Sequence, residues 1–215
     1  DPSSTNRRGE ANNTGDIIET ALILGRWGHT ECFHDAERIL RGHLLPSQLR
    51  DVSFIVEPDN PEGVDGRKDV AQRLKGGFGF PAPYGHEPVG IYASDKPRIG
   101  FNLDIVGGVI GSLCEAWREA VRFDAAGHWV NLLFDRQTEN IEVRSPYTHP
   151  YLAVRLRRPG VLHVRLPPWV DGKAFRISGS GSAGLSANGY ITFAAVPINR
   201  WITFAFELPA VETTL

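Results

Sequence analysis

Residues able to do chemistry are few in this 215-residue chain, and they stand in unrelated settings. It has no Gly-x-Ser-x-Gly elbow, no P-loop, no His-Glu-x-x-His pair and no Cys-x-x-Cys, so the usual signs of acyl transfer, nucleotide binding, zinc proteolysis and dithiol exchange are missing. Cys32 and Cys114 are too few for a disulfide framework or a closed zinc site and read as free thiols. Cys114 falls on an apolar helical stripe, where a buried, inert thiol is expected. Gly76-Gly-Phe-Gly-Phe-Pro-Ala-Pro-Tyr84 is rich in aromatics rather than polar filler, which fits either an ordered surface or a cap over the core. His86 and Glu87 follow it with polar groups. Asp16 and Glu19 have the spacing of a capping box, and His29 and His43 read as helix-surface or satisfied core histidines.

The elements that must carry these groups change character along the chain. Residues 1–13 are polar and lack apolar rhythm, so a mobile lead-in is expected there. Ile17, Ile18, Ala21 and Leu22 then predict a helix over 16–27, broken at Gly28-His29-Thr30. A second helix is expected from about His34 or Asp35, with Ala36, Ile39, Leu40, His43 and Leu44 on one face, and Pro46 ends it. Between 53 and 103, Pro, Gly and Asp alternate too quickly for either period, which predicts long connections. Val106, Val109, Ile110, Leu113, Cys114, Trp117 and Val121 predict a third helix over 106–122. After Gly127 the period becomes two. Short β-rich runs at 129–134, 141–144, 152–157, 161–166, 175–178, 190–194 and 201–208, separated by turn residues, have the spacing of a sandwich or barrel. In the last run Ile202, Phe204, Phe206 and Leu208 alternate with more polar positions, so that strand has one buried face.

Composition bounds the function classes. Hydrophobic residues at 41% and charged residues at 22% suffice for a core, and the length allows one large domain or two unequal ones. A formal charge of −2 supplies no general attraction for phosphate backbones, so nucleic acid is not an expected partner. The basic positions 155–158 with Arg165 are expected on a solvated strand face. No apolar run approaches the roughly 18 residues of a bilayer helix, and no membrane partner is expected. The chain contains no Met and opens at Asp1, from which a segment upstream is expected.

Taken in order, several short segments resemble one bacterial family. They are Gly9-Glu-Ala-Asn-Asn-Thr-Gly-Asp-Ile17, Asp35-Ala-Glu-Arg38 with Leu44-Leu-Pro-Ser-Gln-Leu49, Gly76-Gly-Phe78, the Trp117 helix, Val130-Asn-Leu-Leu-Phe134, Ser145-Pro-Tyr147 and Val164-Arg-Leu-Pro-Pro-Trp-Val170. The family is related to the β-L-arabinofuranosidases, and the last segment is the most specific. The resemblance covers nearly the whole chain but only the latter part of the family's length. It implies an α+β multidomain fold, with the C-terminal part of an (α/α)6 helical barrel over 1–125 followed by an antiparallel β-sandwich over 126–215. In the arabinofuranosidases a zinc ion is held by a Glu, a Cys two residues later and a Cys-Cys pair before the Trp helix. Here Glu10 matches the Glu, while Asn12 and Asp104-Ile105 stand where the thiolates would be. No zinc and no other cofactor is therefore expected.

Two readings of function follow from that resemblance. In one, the chain is part of a glycosidase or related sugar-cleaving enzyme using paired carboxylates, with Asp104 as nucleophile or base and Glu10 as its partner. The family's general acid would then lie on an upstream segment of the same precursor or on another subunit. In the other, the centre is inactive, and the protein binds or scaffolds carbohydrate through Phe78, Phe80, Tyr84 and Tyr92, with His86 and Glu87 as further sugar contacts. Against both stand plain structural roles: Asp104 as a helix N-cap and Glu10 as a solvated side chain.

Overall fold

The computed structural model of the chain describes residues 11–48, 50–53, 55–78, 103–170, 175–179, 184–185 and 188–208. They form two compact units, one of Asp1–Thr20 with Arg38–Cys114 and one of Ala21–Glu37 with Glu115–Leu215. Three helices are shared by the two: α1 (Ala11–Arg26), α2 (Glu31–Ile39) and α4 (Leu103–Ala120), with the short α3 (Val70–Leu74) between the last two. No helix of the described residues is long and apolar enough to cross a membrane.

In the first unit, α1 begins at least as early as Ala11, within what the sequence presents as lead-in. Ala11, Thr14, Gly15 and Ile18 are all buried, so the packed stripe extends upstream through polar sequence and draws the helix with it. The expected capping box is thereby ruled out. Asp16 and Glu19 lie inside the helix, where Glu19 accepts a hydrogen bond from Ser112 Oγ at 2.8 Å and the Asp16 backbone oxygen accepts one from Thr20 Oγ1. Thr14 Oγ1 pairs with His43 Nδ1 at 2.9 Å, and burial holds the His43 imidazole below its usual range. After Ile39 the chain widens into a π-helical turn, Leu40–Leu44, closed by Leu45 N–H donating to the Leu40 oxygen. The expected long connections contain short helical pieces, a 3₁₀ turn at Asp65–Arg67 and then α3, whose first free N–H groups at Val70 and Ala71 donate to the Glu57 carboxylate.

The sequence pattern gives only part of the packed face of α4: Val109 is buried as expected, but Ile110, Cys114 and Trp117 are not. Among the α4 side chains described, from 109 on, the buried ones are Val109, Ser112, Ala116, Glu119 and Ala120, while Ile110 and Trp117 are each 50% exposed and Cys114 is exposed rather than buried. Two overlapping stripes run along this helix, and the small-residue stripe, which permits close approach, is the packed one. The helix also ends at Ala120, so Val121 and Arg122 belong to a strand.

The described residues of the second unit include ten strands. Five form one sheet in the order β1 (Val121–Asp124), β2 (Gly127–Val130), β6 (Leu162–Arg165), β9 (Tyr190–Phe193), β8 (Gly184–Leu185). The others form a second sheet in the order β3 (Arg136–Gln137), β4 (Ile141–Arg144), β5 (Leu152–Leu156), β10 (Trp201–Ala205), β7 (Arg176–Ser178). Ladders are antiparallel except β2 with β6, a departure from the all-antiparallel expectation. The chain leaves β2 and builds β3, β4 and β5 in the other sheet before returning to β6, and such a crossover permits parallel pairing.

One apolar cluster takes side chains from both sheets: Val130, Leu162, Val164 and Phe193 from the first, Ile141, Val154, Ile202 and Phe204 from the second. Phe193 and Phe204 meet edge to face at 5.8 Å between centroids. Ile202 and Phe204 are fully buried, as their alternation predicts, whereas Leu208 is 43% exposed. Gly127 opens β2 at φ 131°, and a Cβ there would lie 2.3 Å from the Val161 oxygen, so only glycine fits.

Candidate functional site

Most side chains to which the sequence assigns chemistry lie outside the described residues: Glu10, Phe80, Tyr84, His86, Glu87 and Tyr92. Asp104 is the second residue of α4 rather than a residue preceding it, and is described along its backbone only. Phe78 is 1% exposed, its ring enclosed within the first unit beside the Gln48 bridge. What the described residues do assemble is a polar and aromatic cleft in the second unit.

Its floor follows from strand alternation. With Val121, Val130, Leu162, Val164, Ile191 and Phe193 turned into the core, the intervening residues of the same strands face the other way. Register places Arg122 opposite Trp129, Trp129 opposite His163, and His163 opposite Thr192, one row across four strands. A second row pairs Arg165 with Tyr190. The Trp129 and His163 rings stack at 3.8 Å with 16° between planes, and Tyr190 meets Trp129 edge on at 5.2 Å. His163 is fixed at both nitrogens, to Thr192 Oγ1 at 3.0 Å and to the Ala126 oxygen at 3.3 Å.

The opposite bank is the turn between α1 and α2. Gly25 admits it, because a Cβ there would sit 2.8 Å from the Phe33 ring. Thr30 Oγ1 donates to the Asn188 oxygen at 2.6 Å and closes the far side. The cleft between has a volume of about 380 Å³, and a second of about 330 Å³ adjoins it, sharing Gly28, Thr30 and Asn188.

Beneath lies a buried network. Arg165, expected on a solvated face, is 2% exposed; its Nη2 donates to Glu37 Oε2 at 2.5 Å and its Nε to the Asn131 oxygen. Glu37 also accepts from Leu133 N–H, and Tyr190 OH donates to Asn131 Oδ1 at 2.7 Å. A charge fully removed from water persists only when paired and hydrogen-bonded in this way; Arg165 keeps the outer face that alternation gives it, and α2 brings Glu37 to it there.

Electrostatically the rim is balanced. Asp124 is held below the usual carboxylate range: partial desolvation opposes this, but hydrogen bonds from Trp129 Nε1 and Ala126 N–H outweigh it. Burial pushes Glu119 up, against the pull of Arg122 and Arg26. Arg26 approaches Glu119 at 3.5 Å, and Arg122 approaches Glu119 and Asp124 at 3.8 Å, so these guanidinium groups are neutralised without being tied by close hydrogen bonds.

No protein-family model matches the chain, and no curated protein matches it in sequence. Solved structures do match. A GH127 beta-arabinofuranosidase aligns over 92% of this chain and 32% of its own length, with a TM-score of 0.52 and 15% identity. A structure described as a glycoside hydrolase aligns over 84% and 29%, at 0.49 and 14%, and a GH127 beta-L-arabinofuranosidase from Geobacillus stearothermophilus T6 over 84% and 28%, at 0.47 and 17%. The fold neighbours of this chain are glycoside hydrolases. The chain spans less than a third of the length of each.

Sequence reasoning missed the cleft. The alternation in Gly127-His-Trp-Val130 and Leu162-His-Val-Arg165 marks which residues share a face. The pairing of those two segments, 34 residues apart at Trp129 and His163 and in parallel, is not local information.

Proposed function

We propose that the chain is part of a carbohydrate-cleaving enzyme of the glycoside hydrolase type. On this reading residues up to about 125 end a helical (α/α)6 barrel and the rest form a β-sandwich, with Asp104 as nucleophile or base and Glu10 as its partner carboxylate. Phe80, Tyr84, His86, Glu87 and Tyr92 contact the sugar, the buried Phe78 ring supports them from the core, and the general acid is supplied by an upstream segment or another subunit. The observation that carries the reading is the likeness to a beta-arabinofuranosidase over 92% of the chain.

The donor set does not fit a thiolate-bound zinc. Asn12 offers an amide on α1, Asp104-Ile105 offers one carboxylate, and among the described residues no three His, Cys, Asp or Glu side chains converge. A carboxylate pair suffices in principle, one ionised and one held protonated by its surroundings.

The test exploits the leaving group. An aryl glycoside departs as an acidic phenol and depends little on a general acid, so the nucleophilic half of the reaction is measurable with this chain alone. Nitrophenyl glycosides, beginning with the β-arabinofuranoside, are expected to release nitrophenolate, and Asp104→Asn to lower kcat at least about a hundredfold at unchanged fold. Equal rates for Asp104→Asn and the unaltered chain would remove Asp104 from the mechanism. Sugar binding without turnover of any aryl glycoside would favour the non-catalytic carbohydrate-binding reading.

A further inference from the structure

We infer that the Trp129 cleft and its neighbour form one saccharide-binding groove, taking a neutral sugar unit on the Trp129 side and a second unit beside Pro168. The inference deepens the carbohydrate reading of the chain, and it rests on the make-up of the cleft itself.

Three observations define the ligand class. The first is size: about 380 Å³ lies at the low end of small-molecule sites, and the adjoining 330 Å³ across the Thr30–Asn188 hydrogen bond extends it in one direction, as a linear oligomer requires. The second is surface. Trp129 supplies apolar aromatic area whose placement is fixed by the His163 stack and by the edge of the buried Tyr190 ring, and a rigid ring of this kind matches the C–H face of a sugar at low entropic cost. The third is polarity. Asp124 commits Oδ1 to Trp129 and Ala126, and its Oδ2 faces Arg122 at 3.8 Å. Asn131, 3% exposed, commits Oδ1 to Tyr190 and its backbone oxygen to Arg165, and its Nδ2 makes no hydrogen bond among the described residues. Donors and acceptors thus alternate around an aromatic floor, the pattern that vicinal hydroxyls satisfy.

Charge argues against an anionic ligand. Arg26 and Arg122 each already face carboxylates, Glu115 and Glu119 for the first, Glu119 and Asp124 for the second. A phosphate or carboxylate entering here meets a neutralised rim.

The experiment uses the whole chain labelled with ¹⁵N at tryptophan indoles, the Trp129 resonance being assigned by its loss in Trp129→Phe. L-arabinose, D-galactose, D-glucuronate, inorganic phosphate and neutral oligosaccharides of two to four units are titrated in turn, with affinities from calorimetry. Neutral sugars should shift the Trp129 indole saturably, with a disaccharide or longer binding roughly tenfold or more tighter than its monomer because it fills both clefts. Arg122→Gln and Asp124→Asn should each weaken binding about tenfold, with unchanged circular dichroism and melting. Three results overturn the inference: no indole shift with any neutral sugar, tighter binding of glucuronate or phosphate than of neutral sugars, or unaltered affinity in Arg122→Gln, Asp124→Asn and Trp129→Phe alike. A Glu10→Gln, Asp104→Asn double variant separates this groove from the proposed catalytic pair. Binding retained there and lost in the Arg122 variant supports the groove even if no aryl glycoside is cleaved. The reverse pattern refutes the groove and leaves the glycosidase reading standing.

Discussion

Arg165, on β6, is paired with Glu37, on α2, at 2.5 Å and 128 residues apart in sequence, with both side chains under 5% exposed. This contact joins a helix to the outer face of the first sheet and holds Asn131 and Tyr190 beneath the cleft. A buried pair of this kind adds little over a well-packed apolar pair, but removing one partner strands the other. Glu37→Ala is therefore expected to cost about 3–5 kcal/mol, and a Glu37→Met, Arg165→Leu double variant to regain most of it. Urea titrations of the three proteins check this, and equal losses in the single and double variants would contradict it.

How far this arrangement is legible in the sequence depends on the range of the interaction. Ile202 and Phe204 alternate locally and are buried as alternation predicts. Helix α4 was visible as a period, yet its packed face only in part, because Ile110, Cys114 and Trp117 form as regular a stripe as Val109, Ser112 and Ala116. Arg165 looked solvated because its partner is on another element and strand periodicity says nothing of what covers a face. The parallel pairing of Trp129 with His163 was hidden for the same reason. Carboxylates at 16 and 19 mimicked a cap because the buried stripe of Ala11, Thr14 and Ile18 is carried by small and polar residues, which weaken the period.

Gly127 offers a sharper test of the turn into β2. Its φ of 131° and the 2.3 Å that would separate a Cβ from the Val161 oxygen add strain to a backbone collision. Gly127→Ala should destabilise by about 1–3 kcal/mol, whereas Gly66→Ala, at a position open around its Cβ, should stay within about 0.5 kcal/mol. Thermal melts of the two variants suffice, and similar shifts in both would be inconsistent with the geometry.

Stability should fall on mild acidification. His128 is fully buried with Nε2 3.0 Å from the Arg158 oxygen, so the neutral tautomer carries its proton on Nε2, and burial lowers its pKa. His43 is lowered by burial as well. Below the ordinary histidine value of about 6.5 the unfolded chain binds protons that the folded chain refuses, so stability rises with pH across that window and is lost as pH falls through it. His128→Gln, which keeps an N–H donor but does not titrate, should flatten the slope between pH 7 and pH 5 in denaturant titrations. An unchanged slope would place the acid sensitivity elsewhere.

The two thiols should differ in reactivity, in the order opposite to the one the sequence suggests. Cys114 stands exposed on the uncovered stripe of α4, between Ile110 and Trp117. Cys32 is half-buried, and burial, followed by the Glu31 and Asp35 carboxylates, pushes its thiol above its usual pKa. Alkylation proceeds through the thiolate, so both access and ionisation slow Cys32. Iodoacetamide at pH 8 followed by peptide mass analysis should find Cys114 modified first and Cys32 lagging. The same experiment bears on the proposed upstream segment: added in trans or fused in its native place, a segment that covers the Ile110–Trp117 stripe should protect Cys114 and leave the Cys32 rate unchanged. Protection of Cys114 in the chain alone would show instead that α4 presents a different face from the one described.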